Sequence, residues 1–228
     1  MWRRLAGVGA VAALAVVLAM AAATSWATTP IGPQTRVSAM GPDGTPTLTG
    51  GFAAVAHNPR ADQYLVVWQG DAAVDGDVEV WGRLLAADGT PLGAQIRISD
   101  MGPDGNPAYT ARDPRVAYNP RADEYLVVWS GDDDRAPLAN NEHEVFAQRL
   151  SAAGAEVGAN DVRVSDMGPD GSVLYGASDA DVAYDPQADE YLVVWAGDDD
   201  TAPLVDDEYE IFAQRLSAAG AEVGANDV

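Results

Sequence analysis

Three consecutive segments of this chain are versions of one another, and that repetition limits the folds open to it. Their central stretches read VAHNPRADQYLVVW, VAYNPRADEYLVVW and VAYDPQADEYLVVW, and each segment opens on a run like RVSAMGPDG. We divide them into repeat 1 (residues 36–96), repeat 2 (97–162) and repeat 3 (163–228). In proteins of this kind each repeat is one supersecondary unit, which buries its apolar surface only against its neighbours.

Each repeat is predicted to hold four short β-strands and no helix. In repeat 2 the strands are expected at 116–118, 125–129, 144–150 and 157–165, separated by the turns NPRAD and SAAG and by a long acidic loop. The second strand is apolar on both faces, which indicates that it is covered on both sides. Four antiparallel strands per repeat around such a strand predict an all-β fold of β-propeller-like blades.

Two other architectures stay open, a tandem of small β-sandwiches and a β-solenoid. The repeats are short for sandwich domains and long for solenoid coils, so the propeller is favoured. Natural propellers have about four to eight blades, so three repeats predict an incomplete propeller, as in a fragment of a longer repeat protein. Alternatively, a lead-in strand at 28–35 precedes repeat 1, and Thr35 to Ser38 completes the last blade, because IGPQTRVS (residues 31–38) resembles the VGANDVRVS that closes a repeat.

Residues 1–27 have the organisation of a secretory signal peptide. Arg3 and Arg4 form a short positive region, and an apolar run from Leu5 to Ala23 follows. Ser25 and Ala27 then give the small-x-small pattern, with cleavage expected after Ala27. An uncleaved membrane anchor is the alternative, because the run approaches the ~20 residues that span a bilayer. Cleavage predicts a secreted or cell-surface protein of a bacterium, with no membrane contact afterwards.

The composition excludes several kinds of site. The chain has no Cys, and all 13 of its basic residues are Arg. It therefore has no disulfide, thiol nucleophile, Schiff-base lysine or P-loop. A formal net charge of -22 argues against nucleic-acid partners, which need clustered cations. The partners that remain are extracellular proteins and glycans.

The acidic residues concentrate in the loop after the second strand, which reads GDDDRAPLANNEHE in repeat 2 and GDDDTAPLVDDEYE in repeat 3. Calcium takes about six to eight oxygen ligands from such loops, so Ca²⁺ is the candidate cofactor. A solvated acidic surface is the alternative, because the spacing does not match an EF-hand loop. The candidate metal ligands are Asp132, Asp134, Glu142, Glu144, Asp198, Asp200, Asp206, Asp207, Glu208 and Glu210.

Aromatic residues at fixed positions are expected to pack in the core. Trp68, Trp129 and Trp195 end the second strand of the three repeats, and an aromatic platform for a sugar is the alternative. His57 stands where repeats 2 and 3 have Tyr118 and Tyr184, and His143 stands where repeat 3 has Tyr209, so a structural role is expected for both.

No catalytic constellation is recognisable in the sequence. The sialidase Asp-box is not matched, and neither a Gly-x-Ser-x-Gly elbow nor a His-Glu-x-x-His helix occurs. Near-identical repeats also argue against one asymmetric catalytic centre. We therefore expect a non-enzymatic binding or adhesion module that presents the acidic loops. The alternatives are a structural spacer and a carbohydrate-active propeller enzyme, for which Asp113 and Asp179 are the carboxylates to test.

The series VAYNP…DEYLVVW…EVFAQRL resembles the repeats of large exported bacterial surface proteins with propeller-type domains. This resemblance covers residues 36–228 and implies fold and export rather than activity. The repeats are also distantly similar to the propeller repeats of integrin α subunits, whose loops bind calcium. Those repeats carry a Phe-Gly…Gly-Ala-Pro signature and a D-x-D-x-D-G loop, and this chain has neither.

Overall fold

A computed structural model describes residues 34–199, 201–205 and 207–225. The predicted signal peptide and nearly all of the predicted lead-in strand lie outside these residues. In the described part all regular structure is β-strand, and no helix is present that could cross a membrane. The strands are β1 (Gly50–Asn58), β2 (Gln63–Gly70), β3 (Glu79–Ala86), β4 (Pro91–Arg97), β5 (Ala111–Asn119), β6 (Glu124–Gly131), β7 (Glu144–Ser151), β8 (Glu156–Arg163), β9 (Gly176–Asp185), β10 (Glu190–Asp198), β11 (Glu210–Ser217) and β12 (Glu222–Val223).

The strands form three antiparallel sheets of four, each in sequence order. We call them blade 1 (β1–β4), blade 2 (β5–β8) and blade 3 (β9–β12). The first strands of successive blades, β1, β5 and β9, pack against one another and are called the inner strands. The predicted all-β, propeller-like fold with blades of four antiparallel strands is confirmed. Because neighbouring strands are antiparallel, the loops after the second and fourth strands emerge at one end of each blade, which we call the loop end.

The second strand of blade 2 is covered on both sides, as its apolar sequence predicts. Leu126 and Val128 belong to the core shared with blade 3. Tyr125, Val127 and Trp129 belong to the core shared with blade 1. Each such side chain contributes roughly 1.5–3 kcal/mol when it is fully buried, so β6 links the two cores. The tryptophan that ends this strand is buried in all three blades, which agrees with packing rather than with an exposed sugar platform.

The first strand of each blade is longer than its sequence pattern indicates. In blade 2 it begins at Ala111, whereas the pattern predicts a start at Val116. The register shifts between Arg112 and Arg115, and Asp113 within this bulge has φ 53°. A bulge breaks the alternation of side chains, so the sequence hides the first half of the strand. This bulge places Asp113 at the loop end of an inner strand.

Candidate functional site

The glutamate that begins the third strand of blade 2 connects that strand to the segment leading into blade 3. The Glu144 carboxylate accepts hydrogen bonds from the Ser165 hydroxyl and from the backbone N–H of Met167, the latter at 3.0 Å. Burial raises the pKa of Glu144 to about 7, against the opposing effect of the Ser165 hydrogen bond. We call this arrangement the glutamate latch.

Blade 1 has the same glutamate latch. Glu79 accepts hydrogen bonds from the Ser99 hydroxyl and from Met101 N, the latter at 3.1 Å. It also pairs with Arg97 Nη2 at 2.5 Å. Burial raises the pKa of Glu79 although Ser99 and Arg97 act in the opposite direction. Glu144, one of the candidate metal ligands, therefore accepts hydrogen bonds within the protein, as Glu79 does in blade 1.

Two more of the candidate metal ligands have structural partners as well. Asp132 is buried and accepts hydrogen bonds from Thr110 N and Asn141 N, both at 2.9 Å. Glu142 is buried and accepts from Ala139 N at 2.7 Å and from Gly171 N at 2.9 Å. These carboxylates satisfy N–H groups in irregular loops, where no strand partner is available.

The remaining candidate ligands are spread over two blades. Asp198 is buried and accepts a hydrogen bond from Asp207 N at 3.0 Å. Asp134, Asp207, Glu208 and Glu210 are exposed, whereas Asp200 and Asp206 lie outside the described residues. Among the described residues no group of three or more His, Cys, Asp or Glu side chains is arranged to hold a metal ion. Calcium binding stays a prediction.

A cavity of about 340 Å³ opens at the loop end, between blades 2 and 3. We call it the loop-end pocket. Inner strands β5 and β9 supply two of its sides, and strand β6 with the loops before β7, β9 and β11 supplies the rest. Its lining residues are Arg112, Asp113, Ser130, Asn141, His143, Val173, Leu174, Tyr175, Gly176, Ala177, Ser178 and Tyr209.

One difference between the blades alters the wall of this pocket. In blade 1, Gln69 reaches across to blade 2, where its side-chain oxygen accepts a hydrogen bond from Asp113 N at 2.8 Å. The corresponding residue of blade 2 is Ser130, whose shorter side chain does not fill the equivalent space beside blade 3. Its hydroxyl is buried and has no hydrogen-bond partner among the described residues.

The lining combines charged, polar and apolar groups. Arg112 and Asp113 supply one charge of each sign, and His143 supplies an imidazole. Tyr209 is 60% exposed and Leu174 is 63% exposed, so an apolar wall faces a ligand that enters. Clefts that combine apolar walls with a few convergent polar groups are the usual form of a small-molecule site. A sugar presents hydroxyls and apolar ring faces, and both can be matched here.

Sequence reasoning found only part of this pocket. Asp113 was expected as a carboxylate to test, and His143 was expected to be structural, yet both line the cavity. Asp179, the other carboxylate to test, stands at the equivalent bulge of β9 with φ 55°. The change from Gln69 to Ser130 is visible in the aligned repeats. The hydrogen bond from Asp113 N to Gln69, which joins blades 1 and 2, is visible only in the structure.

The fold is similar to that of solved glycan-active proteins. A thermostable family-43 glycoside hydrolase aligns with a TM-score of 0.51 and 9% identity, over 79% of this chain and 59% of that one. An N-acetylgalactosamine deacetylase from F. plautii, in complex with blood group B trisaccharide, aligns with a TM-score of 0.47 and 14% identity, over 79% and 53%. An endo-1,5-alpha-L-arabinanase from Thermotoga petrophila RKU-1 aligns with a TM-score of 0.45 and 14% identity, over 76% and 43%. The chain thus spans about half the length of these structures. No protein-family model and no curated protein matches it.

These comparisons correct one expectation. The prediction of a non-enzymatic protein is wrong, because the solved structure that shares this fold with a TM-score of 0.51 is a glycoside hydrolase. The prediction weighed the near-identity of the repeats too heavily. Side chains that differ between blades, such as Gln69 and Ser130, make one junction between blades unlike the other. At 9% identity the likeness shows the fold alone, so activity has to be argued from the pocket.

Proposed function

We propose that this chain is a carbohydrate-active propeller protein and that the loop-end pocket is its glycan site. The observation that carries the proposal is the pocket itself. It places a carboxylate, a guanidinium and an imidazole beside exposed aromatic and aliphatic walls. The fold shared with a family-43 glycoside hydrolase supports the same conclusion.

Asp113 is the residue proposed to act on the glycosidic bond. Glycoside hydrolysis by the common routes needs two carboxyl groups, one as acid and the other as base or nucleophile. Asp113 is the one carboxylate in the pocket lining, so Asp179, at the equivalent bulge of β9 but outside that lining, is proposed only as the second carboxylate to test. Arg112 and His143 are placed to orient sugar hydroxyls through their N–H groups.

The test begins with a panel of oligosaccharides that includes 1,5-α-L-arabinan and blood group trisaccharides, with product release measured by reducing-end assay. Asp113→Asn keeps a residue that tolerates φ 53° and removes the carboxylate. We expect kcat/KM to fall by at least about 100-fold, the usual range for a lost acid or base. Asp62→Asn, which also sits at positive φ but at the opposite end of blade 1, is the matched control and should leave the rate unchanged.

A second variant tests the pocket without touching its charges. Ser130→Gln restores the residue that fills the corresponding space in blade 1, where Gln69 is accommodated. We expect it to fold normally and to weaken glycan binding by at least tenfold in calorimetry. Glycan turnover that survives both Asp113→Asn and Ser130→Gln would place the activity elsewhere, and no binding to any glycan would remove the proposal.

We also propose that the protein is exported and acts outside the cell, as expected for repeats of bacterial surface proteins. The support is the order of a positive region, an apolar run and a small-x-small site in residues 1–27. Intact mass spectrometry of the protein expressed in a Gram-negative host tests it. In the exported fraction we expect the mass of a chain without residues 1–27. The mass of the full chain, found in the membrane fraction, would support the anchor alternative.

A further inference from the structure

Each blade buries the face that it turns toward the next blade, which we call its trailing face. Val80 of blade 1 and Val145 of blade 2 are both 0% exposed there, because the following blade covers them. The equivalent residue of blade 3 is Ile211, which is 72% exposed. Leu126 of blade 2 is 1% exposed, whereas its equivalent Leu192 is 45% exposed. The trailing face of blade 3 is thus built for burial and lies open.

Blade 1 has the complementary open face, turned away from blade 2, which we call its leading face. Val116 and Val182, in blades 2 and 3, pack against the core formed with the preceding blade. Their equivalent Val55 is 59% exposed. Ala180 is buried in the same core, whereas its equivalent Ala53 is exposed. Large apolar patches of this kind on a soluble protein mark a surface that binds another protein.

The polar groups of the two open faces also match. Glu210 occupies the latch position of blade 3, but no hydroxyl or backbone N–H among the described residues binds its carboxylate. Arg36, Ser38 and Met40 occupy the positions that Arg97, Ser99 and Met101 take around Glu79. Blade 1 therefore carries the donors of a glutamate latch without its glutamate.

The backbone supplies a further matching pair. The carbonyl of Val78 accepts a hydrogen bond from Ala111 N, and that of His143 accepts one from Ala177 N, both at 2.8 Å. These bonds join consecutive blades at the loop end. The corresponding groups on the two open faces are the carbonyl of Tyr209 and the N–H of Gly50.

We propose that a second copy of this chain docks its leading face on the trailing face of blade 3. The contacts repeat those between blades 1 and 2 and between blades 2 and 3. Because the two faces differ, the contact is head-to-tail, and such contacts close into rings when the rotation allows. Two copies joined twice give a ring of six blades, within the range of about four to eight in natural propellers.

Light scattering on the exported protein measures the assembly directly. We expect a mass of two chains at micromolar concentration. Ile211→Asp should give a mass of one chain, because a carboxylate would be buried without a partner at the centre of the contact. The residue is exposed within one chain, so the variant should retain the circular dichroism spectrum of the native protein. A single-chain mass for the native protein at every concentration overturns the proposal.

Engineered cysteines identify the contact itself, because the chain has no Cys of its own. A Cβ on Gly176 would lie 3.7 Å from the Cβ of His143, close to the ~3.8 Å mean of disulfides. The equivalent pair across the proposed contact is Thr49 of one copy and Tyr209 of the other. Gly176→Cys with His143→Cys in one chain is the positive control for this geometry.

The two single variants are then mixed and oxidised. Thr49→Cys with Tyr209→Cys should give a covalent dimer, whereas neither variant alone should. A mixture of Thr49→Cys with Leu92→Cys, at another exposed position, measures random collision and should give none. A cross-link in Thr49→Cys alone would indicate a symmetric contact between like faces and would also overturn the proposal. None of these readouts depends on glycan activity.

Discussion

At the scale of single residues, buried carboxylates decide how stability depends on pH. Burial raises the pKa of Glu144 from 4.5 to about 7, so the native state keeps a proton that the unfolded chain releases. The free energy of unfolding from this group is then largest below its unfolded pKa and falls as pH rises toward about 7. Above that value its effect is constant.

Glu144→Gln removes this titration. We expect the variant to gain about 2 kcal/mol relative to the native protein between about pH 5.5 and about pH 8, at ~1.4 kcal/mol per pKa unit. Urea unfolding at the two pH values measures the gain. Glu156→Gln, at an exposed position of β8, is the control, and its free energy of unfolding should differ from that of the native protein by the same amount at both pH values. A pH-independent difference for Glu144→Gln would contradict the raised pKa of Glu144.

Metal removal tests the calcium hypothesis at the same scale. Asp132, Glu142 and Glu144 already accept hydrogen bonds from backbone N–H groups, so a cation would have to displace those donors. If these carboxylates keep their N–H donors, melting temperatures in EDTA and in millimolar Ca²⁺ should differ by less than about 2 °C, equivalent to under ~1 kcal/mol. A rise of several degrees that follows Ca²⁺ but not Mg²⁺ would support the calcium site instead.

At the scale of elements, the glycine that ends each second strand is required by the connection between blades. A Cβ on Gly131 would lie 2.7 Å from Thr110 O and 3.3 Å from Met101 Sδ, because the segment leading into blade 2 crosses there. Gly131→Ala should therefore destabilise the protein by about 1–3 kcal/mol, as overpacking does. Gly51→Ala, where a Cβ would meet nothing within 4 Å, is the control. Equal effects in denaturant unfolding would rule out the crossing as the cause.

The elements also show what the sequence could and could not predict. The apolar run of β6 predicted a strand covered on both faces, because alternation is lost only when both faces are buried. The first half of β5 was missed, since the bulge at Asp113 breaks the pattern. The metal-ligand prediction counted carboxylates without their N–H donors, such as Thr110 and Asn141 for Asp132. Thr110 lies 22 residues before Asp132, in the segment that leads into blade 2, and the loop conformation that brings Asn141 N to Asp132 is not visible in the residue pattern.

At the scale of the whole molecule, the two apolar cores share strands β5, β6 and β7 of blade 2. Strand β6 contributes to the core between blades 1 and 2 and to the core between blades 2 and 3. Strand β10 is covered by blade 2 on one side, and its other side carries the exposed Leu192. Amide exchange slows with the buried contacts that must open, so a single copy should protect β6 more than β10.

Hydrogen exchange on Ile211→Asp and on the native protein makes this measurable. In the single-chain variant we expect β10 amides to exchange at least tenfold faster than β6 amides, a difference of ~1.4 kcal/mol in opening free energy. In the native protein the second copy covers the trailing face of blade 3, so β10 should approach the protection of β6. Equal protection of the two strands in both proteins would mean that blade 3 is held by contacts within its own chain. Loss of protection in β6 as well would mean that the substitution unfolds the chain rather than separating two copies.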